Sequence, residues 1–321
     1  MLTLRSGASS LVVAPEYGAG ITGWMVGRTP ILRRALPQAS VGGDPHAMGC
    51  FLLLPYGNRL AGARFHWLGT DYTVTRNFGD QPHAIHGIGW RRAWSVTASA
   101  PDAVTLGLDH QPDRSWPFAF QAVVTYALSD AGLEVTLGLT NRHTAPAPAA
   151  LGLHPFFPKA ADSTLRFEAT GVWRTGSNGL PLNHGSPPLD WRHDAPRRVM
   201  ETGLDNCFTG WSGTADIQAG SVKIRIEASG VFRHLQVFTP SWADFFCAEP
   251  VSHVPDALNR AGLPVGQAMH VLLPGESVLG TIRFFSQAGG GEVPAPPRVL
   301  PGSPPGALDP PGTAGRASRG P

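Results

Sequence analysis

The stretch A-F-Q-A-V-V-T-Y-A-L-S-D-A-G-L-E-V-T-L-G-L-T, residues 119–140, predicts a β-hairpin. Its first run, Ala119–Leu128, is rich in β-branched and aromatic residues and alternates in part between apolar and polar positions. The turn S-D-A-G follows, and Leu133–Thr140 is a second β-prone run, so we expect the two runs to pair as antiparallel strands. This hairpin indicates a chain whose fold is dominated by β-structure.

Similar short runs extend in both directions from this hairpin, with turn sequences about every ten residues. Helix signals are scarce, and no alternation of helices and strands supports a parallel α/β sheet. The pattern therefore predicts an all-β fold, a sandwich or barrel-like domain built from antiparallel strands. The further strand predictions are Leu11–Val13, Ile21–Val26, Ile31–Arg33, Arg64–Leu68, Tyr72–Thr75, Ser95–Ala98, Val104–Leu108, Leu165–Glu168, Val222–Glu227, Leu235–Thr239, Val271–Leu273 and Val278–Phe285.

The composition narrows the class of protein. The chain has 321 residues, 42% of them hydrophobic and 15% charged, and a net charge of +2 with neutral histidines. No block of lysine or arginine is present, so we expect no nucleic acid and no membrane as partner. The three cysteines, Cys50, Cys207 and Cys247, are too few and too scattered to predict a disulfide framework or a zinc site. With no signal-peptide core at the start, we expect a soluble, cytoplasmic protein.

A sharp change in composition divides the chain into two parts. In residues 288–321 about half of the positions are glycine or proline, and the strand pattern stops. Such a segment has too little apolar surface to offset the entropy of ordering it. We therefore expect a single compact domain over residues 1–287 and a disordered Gly/Pro-rich tail over residues 288–321.

Glu249 is the first candidate for acid–base chemistry. It lies in the stretch F-F-C-A-E-P, where an apolar strand is expected to end or bulge at Pro250 because proline cannot donate a ladder hydrogen bond. A carboxylate at a strand end beside Phe245 and Phe246 is partly desolvated, which favours a role as a base. Taken alone, the same pattern also fits a surface glutamate before a turn.

Two further polar stretches lie in the first third of the chain. Arg59, in N-R-L-A-G-A-R-F, follows an apolar run and can donate several fixed hydrogen bonds to a polar ligand, or it is a surface arginine. His86, in H-A-I-H-G-I-G-W, is followed by two glycines and a tryptophan, so a ligand can approach closely. His83 lies three residues earlier, but no other histidine or cysteine stands at metal-ligand spacing, so we expect no metal.

Three candidates follow later in the chain. His154, in L-G-L-H-P-F-F-P, is either a satisfied core residue or an acid in catalysis. Asp205, in L-D-N-C-F-T-G-W, either binds hydroxyl groups or forms local hydrogen bonds in a turn, and Gln236 adds an amide within a predicted strand. Together with the aromatic side chains nearby, these residues suit a neutral polyhydroxyl ligand, and they include no nucleophilic serine or cysteine motif.

The order of these motifs resembles the aldose 1-epimerase (galactose mutarotase) family. N-R-L-A-G-A-R-F, A-I-H-G, L-G-L-H-P-F-F, L-D-N-C-F and C-A-E-P occur in the family's order, and the resemblance covers roughly residues 1–286. It implies a large antiparallel β-sandwich, often called a supersandwich. It also implies that Glu249 is the catalytic base and His154 the catalytic acid, and that the sugar is held by Arg59, His86, Asp205 and, less securely, Gln236. The stretch D-Q-P-H before Ala84 departs from the family pattern and leaves the preferred sugar open.

The resemblance implies interconversion of the α and β anomers of a free hexose such as glucose or galactose, without a cofactor or metal. The expected partner is a small sugar molecule, and the expected assembly is a monomer or a homodimer. One alternative is a hexose-6-phosphate epimerase, in which Arg91 and Arg92 would contribute to binding the phosphate. The other is a carbohydrate-binding protein without catalysis, which would have no need of both His154 and Glu249.

Overall fold

The computed structural model describes residues 1–36 and 47–288. The predicted tail, apart from Ala288, lies outside the described residues. Within these ranges the regular structure consists of 26 β-strands and a few 3-10 helices of three residues each, which confirms the all-β prediction. These helices are Ala61–Ala63, Gly89–Arg91, Leu189–Trp191, Val199–Glu201 and Ala257–Asn259. Within the described ranges, no helix is both long enough and apolar enough to cross a membrane.

Most of the strands belong to two large antiparallel sheets. The first sheet has eleven strands, and β4 (Thr29–Pro30) pairs with β3 beside its main path. That path runs through β1 (Leu2–Ser6), β2 (Ser9–Ala14), β3 (Gly20–Val26), β5 (Cys50–Leu53), β15 (Gly152–Pro158), β24 (Phe245–Val251), β23 (His234–Phe238), β20 (Asp205–Thr209), β17 (Gly171–Thr175) and β18 (Pro181–Gly185).

The second sheet has nine strands. Its spatial order is β10 (Ser95–Ser99), β11 (Ala103–His110), β12 (Phe120–Ser129), β13 (Gly132–Asn141), β26 (Ser277–Ala288), β22 (Val222–Ala228), β21 (Thr214–Ala219), β16 (Thr164–Phe167) and β19 (Arg197–Arg198). Three two-stranded ribbons complete the strands: β6 (Arg59–Leu60) with β9 (Ala84–Ile85), β7 (Arg64–Trp67) with β8 (Thr70–Thr73), and β14 (Ala147–Ala149) with β25 (His270–Leu272).

The hairpin at residues 119–140 is confirmed as the pair β12 and β13. Phe120 lies opposite Asn141 at one end of the ladder and Ser129 opposite Gly132 at the other, so the turn is shorter than the predicted S-D-A-G. Gly132 has φ +143°, and a Cβ there would lie 1.8 Å from the carbonyl oxygen of Phe284 on β26. Only glycine fits this close approach of two strands.

The prediction of a strand at Ile31–Arg33 is wrong. The strand at this point is β4, and the chain then leaves β3, because the Arg33 N–H donates to the carbonyl oxygen of Phe156 on β15 instead. Ile31 is fully buried. Its N–H still donates to the carbonyl oxygen of Trp24 on β3, so the pairing with β3 ends at this residue, and its apolar character reflects packing in the core.

The two large sheets pack face to face around an apolar core. Trp24 on the first sheet contacts Phe284 on the second with ring centroids 6.2 Å apart, and Phe157 contacts the same phenylalanine at 6.5 Å. The outer face of the first sheet is also covered, by a second apolar cluster that includes Phe51, Trp90, Phe156, Trp173 and Phe245. Several strands of the first sheet are therefore buried on both faces, and polar groups on the outer face are withdrawn from water.

Candidate active site

Strand register places three polar side chains side by side on the outer face of the first sheet. Phe156 on β15 lies opposite Cys247 on β24, so that His154 lies opposite Glu249. On the other side of β24, Gln236 is the direct partner of Glu249. Because directly opposite residues of antiparallel strands point to the same face, the three side chains project together.

Strand β24 continues through Pro250 to Val251, so the prediction that it ends or bulges there is wrong. The ladder between β24 and β23 is continuous across this proline, whereas the ladder between β24 and β15 is interrupted beside Pro250 and Pro155. Neither proline has an N–H to donate. The strands keep their register although the ladder between β24 and β15 is interrupted beside the prolines. Glu249 therefore lies inside the sheet and not at a strand end.

His154 and Glu249 form a close, buried pair. The Nε2 atom of His154 lies 3.3 Å from the Oε1 atom of Glu249, and the two residues are only 7% and 3% exposed. The imidazole is stacked between Phe51 and Phe156, with ring centroids 4.4 Å and 4.6 Å away. An imidazole fixed in this way keeps one orientation toward the carboxylate, as an acid–base pair requires.

Burial raises the pKa of the Glu249 carboxyl well above its ordinary value, and the charge of Asp205 raises it further. The guanidinium of Arg59 acts in the opposite direction and lowers this pKa. The first effect arises because a charged carboxylate loses its hydration in an apolar site. Glu249 is thus a stronger base than an exposed glutamate once it is ionised.

Beside the pair His154–Glu249 lies a chain of polar contacts formed by Arg59, Asp205 and Gln236. The Nε2 atom of Gln236 donates to Oδ1 of Asp205 at 2.8 Å, and Nη1 of Arg59 lies 3.6 Å from Oδ2 of the same carboxylate. The Oε1 atom of Gln236 is buried and accepts no hydrogen bond from the described residues. A ligand hydroxyl that donated to this oxygen would satisfy it.

The turn between β17 and β18 holds the side chain of Arg59 against the site. Gly179 in this turn has φ +76°, and a Cβ there would lie 2.4 Å from Nε of Arg59. At the backbone, the carbonyl oxygen of Arg59 accepts a hydrogen bond from Asp256 N–H at 3.0 Å. The position of the guanidinium thus depends on a glycine and on an aspartate that are far from it in sequence.

His86 approaches the pair from a loop that crosses the outer face. Its ring centroid lies 5.3 Å from that of His154, with the two rings nearly perpendicular. The N–H of Asn58 donates to Nδ1 of His86 at 3.1 Å, so the proton of a neutral imidazole is on Nε2. His86 is therefore oriented as a hydrogen-bond donor, which suits a sugar hydroxyl.

Sequence reasoning missed two residues that fix these loops. Asn77 donates to the carbonyl oxygens of Ile85 and Gly87 at 2.7 and 3.0 Å and accepts from Ile85 N–H at 2.8 Å, which holds the His86 loop on both sides. Asp256 is buried, with φ +56°, and its carboxylate accepts from Ala61 N–H at 2.9 Å. An aspartate after proline in V-P-D-A-L-N is a recognisable turn signal, whereas nothing around Asn77 distinguishes it in the sequence.

A cleft of about 540 Å³ opens beside Arg59 and Asp205. Its other walls carry neutral amides and hydroxyl groups together with one indole, and they include Gln81, Thr175, Ser177, Asn178, Trp191 and Asn206. A larger cavity of about 760 Å³ lies next to His193 and Phe167, and none of the six predicted site residues lines it. We take the smaller cleft as the entrance to the candidate site, because two of the predicted site residues line it.

Arg91 and Arg92, the residues considered for a phosphate group, have other contacts. Arg92 forms an ion pair with Asp113 on the loop that precedes β12. The guanidinium of Arg91 lies over the ring of Trp90, 4.5 Å from its centroid. The two side chains therefore do not converge on one point beside the site.

The side chains that could hold a metal ion are not the histidines considered in the sequence, His83 and His86. His83 accepts a hydrogen bond from Gly62 N–H at 3.0 Å and belongs to no group of three or more candidate ligand side chains in the described residues. His154, Cys247 and Glu249, by contrast, bring one imidazole nitrogen, one sulfur and one carboxylate oxygen within 4.8 Å of one another. These three residues come from two strands, so their spacing in sequence gives no metal-binding signal.

The structure thus brings together His154, Glu249, Gln236, Asp205 and Arg59, with His86 beside them, on a fold made of two large antiparallel sheets. The sequence model of the aldose 1-epimerase family matches residues 1–284, and the chain belongs to this family. The uncharacterized protein YphB of Escherichia coli K12 is 31% identical over 287 residues, which cover 86% of this chain and 94% of YphB.

Solved structures show the same fold at lower sequence identity. A galactose mutarotase-like protein from Clostridium acetobutylicum superposes with a TM-score of 0.79 at 18% identity and covers 89% of this chain and 94% of its own. The GalM/aldose epimerase homologue from C. elegans gives 0.78 at 18% identity, with coverage of 90% and 99%. At these identities the likeness supports the fold and does not bear on the reaction.

Proposed function

We propose that this chain is an aldose 1-epimerase that interconverts the α and β anomers of a free hexose such as glucose or galactose. The observation that carries the proposal is the pair His154–Glu249, with 3.3 Å between Nε2 and Oε1 in an apolar surrounding. The reaction needs one acid and one base that act on two oxygens bonded to the same carbon. A close and fixed pair of this kind meets that requirement.

In the proposed ring opening, Glu249 accepts the proton of the C1 hydroxyl while His154 donates a proton to the ring oxygen. The bond between C1 and the ring oxygen breaks, and its electrons stay on that oxygen, which becomes the C5 hydroxyl. C1 becomes the carbonyl carbon of the open-chain aldehyde. The protons gained and lost balance, so the pair ends with Glu249 protonated and His154 neutral.

Rotation about the C1–C2 bond then presents the other face of the aldehyde, and closure reverses both proton transfers. No redox step occurs and no group leaves, so the chain's own side chains suffice for the proposed chemistry. Positioned acid–base groups typically accelerate such proton transfers by about 10²–10⁴-fold. Arg59, Asp205, Gln236 and His86 are assigned to the sugar hydroxyls, because they offer fixed donors and acceptors beside the pair.

Polarimetry on freshly dissolved α-glucose and α-galactose tests the proposal. The optical rotation should reach its equilibrium value much faster with the protein than in buffer alone. If neither sugar, nor other free hexoses, were accelerated at high protein concentration, the proposed activity would be wrong. Binding of the same sugars in that case, measured by calorimetry, would favour the carbohydrate-binding alternative.

Glucose 6-phosphate, measured in the same assay, separates the second alternative. We expect a neutral sugar to be the better substrate, because Arg92 is paired with Asp113 and Arg91 lies over Trp90. A dianionic phosphate requires several converging donors, and these two arginines do not supply them in the present arrangement. Faster turnover of the phosphorylated sugar would assign the chain to the hexose-6-phosphate reaction instead.

A further inference from the structure

We propose that His154, Cys247 and Glu249 form a binding site for Zn²⁺, and that zinc bound there inhibits the protein. The three donor atoms lie within 4.8 Å of one another, and all three residues are buried. Cys247 has no part in the proposed reaction, whereas His154 and Glu249 are its proposed acid and base, so the metal site shares two residues with the proposed catalytic site. Cys247 lies on the same face of β24 as Glu249, two residues away, and His154 lies opposite Glu249 on β15.

The kinds of donor atom indicate which cation binds. Thiolate and imidazole are soft and borderline ligands that favour zinc over magnesium or calcium, which prefer sites made entirely of oxygen. Three protein ligands with a fourth position for water or substrate is a common arrangement for an accessible zinc ion. Zinc–ligand bonds are about 2.0–2.3 Å long, so the donors must move closer together by small side-chain rotations.

Binding requires the thiol of Cys247 to lose its proton to solvent, because the thiolate is the ligand. Burial and the charge of Glu249 raise the pKa of this thiol, so the proton is displaced by the metal and not lost beforehand. The positive ion in turn offsets the negative charges of the thiolate and the carboxylate in an apolar site. No oxidant or reductant takes part in this step.

Zinc in this position would stop both proton transfers. Zinc bound to Glu249 would make its carboxylate a much weaker base for the C1 proton, and an imidazole nitrogen that ligates zinc cannot donate a proton. Sugar and zinc should therefore compete, and inhibition should be reversed by a chelator. The activity readout depends on the proposed function, whereas metal binding itself does not.

Cys207 provides a matched control for Cys247. Both thiols are buried, and burial together with the charge of Glu249 raises the pKa of each. Cys207 lies on β20 opposite Gln236, which in turn lies opposite Glu249. It does not belong to the group formed by His154, Cys247 and Glu249. A non-specific effect of zinc on buried thiols should affect both cysteines, whereas the proposed site requires only Cys247.

The test titrates the full chain, after dialysis against a chelator, with Zn²⁺ and with Co²⁺. Zn²⁺ should inhibit mutarotation of wild type, and Co²⁺ should give the near-ultraviolet absorption of a thiolate–cobalt bond. Substitution of a residue that only supports a metal ligand typically lowers metal affinity by about 10–100-fold. Cys247→Ala removes a ligand itself, so it should lower the affinity by at least about 100-fold. Cys207→Ala should match wild type, and Cys247→Ser serves if the alanine variant does not fold.

Inhibition of Cys247→Ala at the wild-type zinc concentration would overturn the proposal, as would the absence of the cobalt absorption from wild type. If the chain shows no mutarotase activity, cobalt absorption and calorimetric zinc binding still decide the metal site. Failure of the proposed function and failure of the metal site are therefore distinguishable.

Discussion

At the scale of single residues, the site depends on a carboxylate that is costly to ionise where it lies. Glu249 lies among apolar side chains and near the like charge of Asp205, and both disfavour its ionised form. The guanidinium of Arg59 favours the ionised form and offsets part of this effect. The same surroundings that raise the pKa also make the ionised group a better acceptor for a weakly acidic hydroxyl proton. Arg59 is therefore assigned two roles: its charge favours the ionised form of Glu249, and its guanidinium binds the sugar.

Glu249→Gln should lower turnover by about 10²-fold or more, because the amide keeps the shape but has no basic lone pair for the C1 proton. The Michaelis constant should change little, since the variant removes an interaction of the transition state. Polarimetry over a range of sugar concentrations up to saturation measures both quantities, and Glu134→Gln on the exposed side of β13 is the control. Near-wild-type turnover of Glu249→Gln would mean that another group is the base.

The pH dependence of kcat/KM should show the raised pKa of Glu249 as an acid limb. The base acts only when deprotonated, so activity is lost as pH falls through this pKa, above the ordinary value of 4.5. Asp205→Asn removes a charge that raises the pKa and should move the limb to lower pH. Arg59→Ala removes a charge that lowers it and should move the limb to higher pH, so shifts in the same direction would contradict the assignment.

The sequence named the six candidate residues, but it did not show which of them are neighbours. His154 and Glu249 are far apart along the chain, and only the register of β15 on β24 brings them together. The proposed catalytic and binding roles came from the resemblance in motif order. From the residue types alone, each of the six could also have had a purely structural role. Register depends on contacts between distant segments, which local patterns do not encode.

At the scale of elements, local pattern predicted β23, which carries Gln236, but it did not predict β15 and placed the end of β24 too early. The hairpins of the second sheet have one outer face in water, so their residues alternate in polarity and were recognised. β15 and β24 are buried along most of their length on both faces, and both contain proline, at Pro155 and Pro158 in β15 and at Pro250 in β24. Because their residues do not alternate in polarity, β15 was not predicted as a strand, and β24 was expected to end or bulge at Pro250.

Gly179→Ala tests how the turn between β17 and β18 positions Arg59. The added Cβ would clash with the far end of the arginine, which can move, so the Michaelis constant should rise several-fold while the melting temperature falls little. Strain at φ +76° adds about 1–2 kcal/mol. Gly220→Ala, at φ +58° with no atom within 4 Å, carries the strain without the clash and should leave the Michaelis constant unchanged.

Equal Michaelis constants for the two glycine variants and wild type would show that the turn does not fix the guanidinium. A large fall in melting temperature for Gly179→Ala alone would show that the turn supports the sheet edge more than the site. Circular dichroism during heating, together with polarimetry over a range of sugar concentrations, separates these outcomes.

At the scale of the whole molecule, the two sheets have different tasks. The first sheet carries His154 and Glu249, the proposed acid and base, on its outer face, and its inner face packs on the second sheet. Phe284 on β26 contacts both Trp24 and Phe157, so one side chain of the second sheet supports two strands of the first. Stability and activity are therefore expected to respond differently to substitutions in the inter-sheet core and on the outer face.

Phe284→Ala should lower the free energy of unfolding by about 3–5 kcal/mol, because it removes a buried ring and leaves a cavity between the sheets. The row of site residues lies on the opposite face of the first sheet, so turnover of the remaining folded protein should stay close to wild type. Leu279→Ala on the same strand is the control, since Leu279 is 56% exposed and should cost little. Urea unfolding followed by fluorescence, with polarimetry below the transition, measures both quantities. A loss of turnover in Phe284→Ala before any loss of folded protein would show that the inter-sheet core also sets the geometry of His154 and Glu249.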